Sequence, residues 1–99
     1  MALKFGNRDG ELGSELKCPN CGSSHLHQKI IDVYERPEDA RTGLHVQVKD
    51  NKAITDANME ANPSPRRQGM LIQFSCEKCP TMPVLKIFQH KGTTYMDFQ

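Results

Sequence analysis

The chain has 99 residues, the length of one small domain, and its hydrophobic content of 36% predicts a thin apolar core. A formal net charge of +1 excludes the strongly basic composition of a dedicated nucleic-acid-binding protein. No apolar run is long enough for a secretory signal or a membrane span, so we expect a cytoplasmic protein. A small domain with a thin core usually needs a disulfide or a metal ion to fold, and the chain has four cysteines.

The first segment, residues 1–15, has scattered leucines and three glycines without a clear period. It predicts a flexible N-terminal arm. Residues 16–99 are expected to form a single domain, in which residues 36–68 are an insertion.

The first predicted strand is residues 25–35, which are rich in β-branched and aromatic side chains. The stretch Arg36-Pro37-Glu38-Asp39 is predicted to break it. Residues 44–49 alternate apolar and polar side chains, which predicts a short half-buried strand with His45 on its polar side.

Residues 50–68 are predicted to contain no strand. Thr55 is a candidate N-cap for a short helix that extends to Glu60. Two prolines within residues 62–68 predict a flexible loop.

The last strands are predicted from residue 69 onward. Residues 69–75 form a strand that runs into Cys76, and a two-residue turn at Lys91-Gly92 joins the final two strands. One register of this hairpin gives an aromatic pair, an ion pair and a continuous apolar strip together. The predicted pairs are His90 with Thr93, Gln89 with Thr94, Phe88 with Tyr95, Ile87 with Met96, Lys86 with Asp97, and Leu85 with Phe98. The predicted fold is therefore mainly β, a small antiparallel sheet of about five strands with at most one or two short helical turns.

The four cysteines form two Cys-x-x-Cys pairs, Cys18 with Cys21 and Cys76 with Cys79. Each pair can bring two thiolates to one tetrahedral ion, so the two pairs complete a four-ligand site and predict one structural zinc ion. Iron, as in rubredoxin, is the alternative metal because it also accepts four thiolates. A thioredoxin-type redox pair is disfavoured because no long amphipathic helix follows either pair. No histidine is assigned to the metal.

The first motif, Cys18-Pro-Asn-Cys-Gly22, resembles the knuckle of the zinc-ribbon family, in which two such knuckles lie at hairpin tips above an antiparallel sheet. The second knuckle departs from that pattern, since Pro80 stands where glycine is usual. Residues 66–79 and 89–94 also resemble small uncharacterised bacterial and phage zinc-ribbon proteins. The resemblance implies a zinc-binding module that contacts nucleic acid or other proteins.

An enzymatic function is not expected, because the sequence has no phosphate-binding loop, nucleophile elbow or paired-carboxylate motif. One hypothesis is nucleic-acid binding by basic and aromatic side chains. The residues of this possible binding surface are Arg66, Arg67, Lys78, Lys86, Phe88, Lys91 and Tyr95. Alternatively, the two arginines pair with the acidic stretch 35–39, and the face or edge of the sheet docks a protein partner or another copy of the chain.

Overall fold

The computed structural model describes residues 3–99, and all of the regular structure in that range is β. Its strands are β1 (Phe5–Asp9), β2 (Gly13–Leu16), β3 (Leu26–Glu35), β4 (Leu44–Lys49), β5 (Lys52–Asp56), β6 (Gly69–Cys76), β7 (Val84–His90) and β8 (Thr93–Phe98). β1 and β2 form a two-stranded sheet, and the other strands form one sheet in the order β5-β4-β3-β6-β7-β8. Every pairing is antiparallel, which confirms the predicted fold class.

The hairpin of β7 and β8 has the predicted register, with all six residue pairs as expected. Lys91 and Gly92 have φ angles of 50° and 78°, which are the positive values that a two-residue hairpin turn of type I′ requires. The rings of Phe88 and Tyr95 stack with their centroids 5.5 Å apart. Local turn chemistry and cross-strand pairing are therefore sufficient to specify this element.

The predicted helix from Thr55 to Glu60 is wrong, because residues 52–56 form strand β5 instead. Asp50 and Asn51 both have positive φ, so they make a two-residue turn that returns the chain alongside β4. Asp and Asn tolerate this conformation, and the β-branched Ile54 suits a strand better than a helix. The insertion thus adds two strands to the main sheet.

The loop at 57–68 lies against the sheet and is fixed by Arg36. The guanidinium of Arg36 donates hydrogen bonds to three main-chain carbonyls, those of Ala40, Ser64 and Arg67, at 2.8–3.2 Å. Ser64 is only 2% exposed, and its hydroxyl donates to the carbonyl of Gln89 at 2.7 Å. These bonds join the loop to β7 and to the chain that follows β3.

Gly69 permits the loop to lie this close to the start of β6. A Cβ atom at this position would meet the side chain of Asn62 and lie 2.8 Å from Cδ of Pro63. The loop therefore packs where no larger side chain fits.

The segment assigned to an N-terminal arm contains the hairpin of β1 and β2. Leu3 and Leu16 pack against a core cluster of Phe74, Leu85 and Phe98. Strands at 5–16 were not expected from the sequence, because these residues show no strand-like alternation.

The main sheet has an apolar face that follows from its register, since residues paired across strands point to the same side. Two adjacent rows on this face carry no charge. The first row is Val46, Val33, Met70, Ile87 and Met96, and the second is Val48, Ile31, Ile72, Leu85 and Phe98. The hairpin of β1 and β2 covers the end near Phe74 and Phe98, whereas Val48 and Met96 remain 44% and 47% exposed.

Candidate functional site

The candidate site is formed by the four cysteines, which lie on two turns at one end of the main sheet. Cys18 and Cys21 lie between β2 and β3, and Cys76 ends β6 just before the turn that contains Cys79. In the first turn the amide of Gly22 donates to the carbonyl of Cys18 at 2.9 Å, and Gly22 has a φ of 80°. Glycine suits this position directly after the second cysteine, because it adopts positive φ without a steric cost.

The four sulfur atoms form one cluster, in which all lie within 4.8 Å of one another. The Sγ atoms of Cys18 and Cys79 are 3.8 Å apart, and those of Cys21 and Cys76 are 3.5 Å apart. A tetrahedral ion with metal–sulfur bonds of about 2.3 Å places its ligands about 3.8 Å apart. The geometry of the cluster therefore fits one tetrahedral metal ion, and the predicted ligands lie together.

Hydrogen-bond donors converge on the sulfurs. The hydroxyl of Thr81 lies 2.9 Å from Cys79 Sγ, and the amide of Lys78 lies 3.5 Å from Cys76 Sγ. The hydrogen bond from Thr81 is the largest of the influences that lower the pKa of Cys79, to about 6. The sequence interpretation did not identify Thr81, although a hydroxyl two residues after the last cysteine is the signal that could have done so.

Without a cation, the thiol of Cys21 resists ionisation. The amide of Ser23 lowers the pKa of Cys21, but burial and the three neighbouring sulfurs outweigh it and raise the pKa of Cys21 to about 12. Negative charges this close repel, so a full set of four thiolates requires a compensating positive ion. The repulsion between the sulfurs and the distances between them therefore both favour a bound metal ion.

The two histidines nearest the cluster bind a carboxylate instead of a metal. Nε2 of His27 donates to Glu77 at 2.8 Å, and Nδ1 of His25 lies 3.8 Å from the same oxygen. The cluster of potential ligand atoms among residues 3–99 contains cysteines only. His25 and His27 thus connect β3 to the second turn through Glu77.

Of the residues of the possible binding surface, Lys86, Phe88 and Tyr95 lie together, whereas Lys78 and Lys91 lie at opposite ends of β7. Lys78 is in the second cysteine turn and Lys91 in the hairpin turn at the opposite end of β7, while Lys86 lies 5.5 Å above the ring of Phe88. Tyr95 is 47% exposed beside Phe88. These side chains are spread along the hairpin and its two ends.

The arginines of the same surface form intramolecular ion pairs. Arg66 contacts both oxygens of Asp39 at 2.6 Å, and Arg67 contacts Glu38 at 2.8 Å. The guanidinium of Arg66 holds the pKa of Asp39 below its ordinary value, mainly through these hydrogen bonds. The two arginines thus pair with the acidic stretch 35–39, which was the alternative prediction for them. Fewer guanidinium N–H groups are left to bind a phosphate.

A partly buried histidine network on the other face of the sheet was missed by sequence reasoning. Nε2 of His45 lies 2.7 Å from Asp32, and Nδ1 lies 2.8 Å from Asp56. The ring of His45 stacks on Tyr34 at a centroid distance of 4.5 Å, and its side chain is 14% exposed. An imidazole that donates from both nitrogens is an imidazolium, so the geometry selects the charged form.

The His45 network predicts a pH dependence of stability. Burial lowers the pKa of His45, but the hydrogen bonds to Asp32 and Asp56 outweigh it and raise that pKa above 6.5. A group whose pKa is raised on folding stabilises fully below its unfolded value and loses that contribution as the pH rises through the folded value. We therefore expect the contribution of His45 to the free energy of unfolding to fall as the pH rises above about 6.5.

Urea titrations from pH 5 to pH 9 measure this effect. His45→Gln is expected to lose this contribution, so the difference in free energy of unfolding between wild type and His45→Gln should shrink as the pH rises. The difference between wild type and Lys52→Gln, an exposed control on β5, should stay constant. A difference between wild type and His45→Gln that does not change with pH would show that His45 does not titrate in this range.

Comparison with protein-family models, curated proteins and solved structures finds no match to this chain. The zinc-ribbon resemblance therefore depends on the cysteine cluster itself, which is a candidate metal site. Residues 3–99 also contain no helix that could cross a membrane.

Proposed function

We propose that this protein is a non-catalytic binding module, in which one zinc ion held by Cys18, Cys21, Cys76 and Cys79 fixes the sheet and the sheet docks a protein partner. The observation that carries the proposal is the cluster of four sulfurs at tetrahedral spacing. Four cysteines would occupy every position of a tetrahedral ion, so no position is left for a reactive water. The metal's role would be structural.

Zinc is favoured over iron because a closed four-cysteine site on paired turns is its commonest structural setting. Iron would adopt nearly the same geometry, so distances alone do not separate the two metals. Elemental analysis of protein purified without added metal is expected to give one zinc per chain. One iron per chain with visible thiolate absorption, or two disulfides in place of a metal, would contradict the proposal.

A protein partner is supported by the apolar face of the main sheet. Apart from the end covered by β1 and β2, no other element among residues 3–99 covers its two uncharged rows. Large exposed apolar patches on small proteins commonly mark interaction sites. The net charge of +1 and the internal pairing of Arg66 and Arg67 both weaken the case for a phosphate ligand.

Nucleic acid is the second candidate, and the stacked rings of Phe88 and Tyr95 favour it. Lys86 lies above the Phe88 ring, so this patch pairs a cation with an exposed aromatic surface. Bases stack on such surfaces without strong sequence preference.

Retention on a single-stranded DNA column separates the two candidates. The protein-partner proposal predicts elution at or below about 0.15 M salt, unchanged by Lys86→Gln. Retention above that concentration that is lost in Lys86→Gln would favour nucleic acid.

The variant Arg66→Ala/Arg67→Ala tests the role of the arginines. It breaks their ion pairs with Glu38 and Asp39, so we expect a slightly lower melting temperature and unchanged DNA retention. The matched control is Arg41→Ala, an exposed arginine of the same segment. Loss of DNA retention at an unchanged melting temperature would assign the arginines to a binding surface.

A further inference from the structure

We propose that the partner is a second copy of this chain, and that two copies pack their apolar faces together around a two-fold axis. The inference rests on the proposed function and names its partner. It follows from the size of the exposed surface, the lack of charge on the apolar face, and the positions of Lys29 and Glu35.

The chain exposes more surface than a monomer of its mass normally does. Its accessible area is 6672 Å², whereas the usual scaling gives about 5,700 Å² for 11.2 kDa. The excess of about 1,000 Å² is close to the roughly 800 Å² that each partner buries in a standard interface. The radius of gyration of 14.5 Å likewise exceeds the value of about 12.6 Å for a compact chain of this length.

The excess area has a structural origin in the single layer of the main sheet. Domains normally bury a sheet face against a second layer. Here β1 and β2 cover only the end near Phe74, Leu85 and Phe98, and the part of the face on β3, β4 and the start of β6 is left open. Another sheet stacked on this part would supply the missing layer.

The apolar face suits a copy of itself because stacking it on itself buries no charge. Both of its rows consist of uncharged side chains across β4, β3, β6, β7 and β8. Burial of an unpaired charge would oppose association, and the uncharged rows avoid that cost.

Two opposite charges border the face on β3, Glu35 at the last residue of the strand and Lys29 at its bulge. Glu35 lines a depression of about 230 Å³ together with Val33, Met70 and Ile87. Lys29, the extra residue of the bulge in β3, lines a second depression with Ile31 and Val48. Neither charge forms an ion pair with any of residues 3–99.

A two-fold axis can match these charges. Lys29 and Glu35 lie at equal sequence distance from Asp32 in β3. A two-fold axis that lies between the two stacked faces, over Asp32 and perpendicular to β3, makes the two β3 strands antiparallel. Lys29 of each copy then faces the partner subunit's Glu35, and Ile31 faces the partner subunit's Val33, so the arrangement is self-complementary in charge and in packing.

The test measures mass as a function of concentration on zinc-loaded protein, by light scattering and sedimentation. The wild-type chain is expected to be a dimer of about 22 kDa, twice the chain mass of 11.2 kDa. Glu35→Lys places like charges opposite each other and should weaken the dimer by about tenfold or more. Lys29→Glu/Glu35→Lys exchanges the two charges and should restore it.

The control is Glu60→Lys, which makes the same charge change at an exposed loop position outside the apolar face and should leave the mass unchanged. A zinc-loaded chain that stays monomeric at high concentration overturns the dimer, while the metal content and DNA retention still report on the proposed function. A dimer that is unaffected by Glu35→Lys also overturns it, because that result indicates pairing through the edge strands β5 or β8.

Discussion

Removal of the metal is expected to unfold the chain. Structural zinc contributes about 10–16 kcal/mol of apparent binding free energy in small domains, which is comparable to or greater than the roughly 5–15 kcal/mol by which a domain is stable. The loss of far-ultraviolet β signal on addition of a strong chelator, and its recovery on addition of zinc, measures the coupling. Cys76→Ser should have the same effect without chelator.

The matched control for Cys76→Ser is Ser75→Ala, which changes the preceding residue of β6 and leaves the sulfur cluster intact. Ser75→Ala should bind one metal per chain and keep its fold. A folded Cys76→Ser protein that still binds one metal with unchanged affinity would contradict the assignment of Cys76 as a ligand.

The size of this effect follows from how little apolar surface the rest of the chain buries. The buried hydrophobic residues among residues 3–99 are Cys18, Tyr34, Leu71, Phe74, Leu85 and Phe98. A sheet with so few buried side chains has little to offset the conformational entropy of the chain. The cluster links the connection between β2 and β3 to the connection between β6 and β7, so the metal would join segments more than 50 residues apart.

The parts of the fold that the sequence predicted are those that depend on local chemistry. The turn at Lys91-Gly92 admits one register that matches apolar, aromatic and charged pairs at once, and that register is present. The spacing of the cysteines likewise indicates a common site, because two residues between ligands leave little freedom in where the sulfurs point.

The parts that were missed depend on pairing between distant segments. The helix predicted from Thr55 to Glu60 overlaps the end of β5, because Thr55 followed by Asp56 fits an N-cap. The turn at Asp50-Asn51, which returns the chain alongside β4, was not predicted. The connection between β3 and β4 is longer than a tight turn, so it does not fix their register in the sequence. The contact of His45 with Asp32 exists only in that register, so it could not be predicted from the sequence.

Phe98→Ala is expected to destabilise the zinc-loaded protein by about 3–5 kcal/mol, the usual cost of removing a fully buried phenylalanine side chain. Phe98 is 1% exposed and packs in the cluster with Phe74 and Leu85, so truncation would leave a cavity where the hairpin of β1 and β2 meets the main sheet.

Met96→Ala is the matched control, because Met96 lies on the same strand and face but is 47% exposed. Below the concentration at which copies associate, its effect should stay within about 1 kcal/mol. Urea midpoints at constant m-value compare the two variants. Equal losses in both would show that the core extends along the whole face, and a small loss in Phe98→Ala would place the stabilising contacts elsewhere.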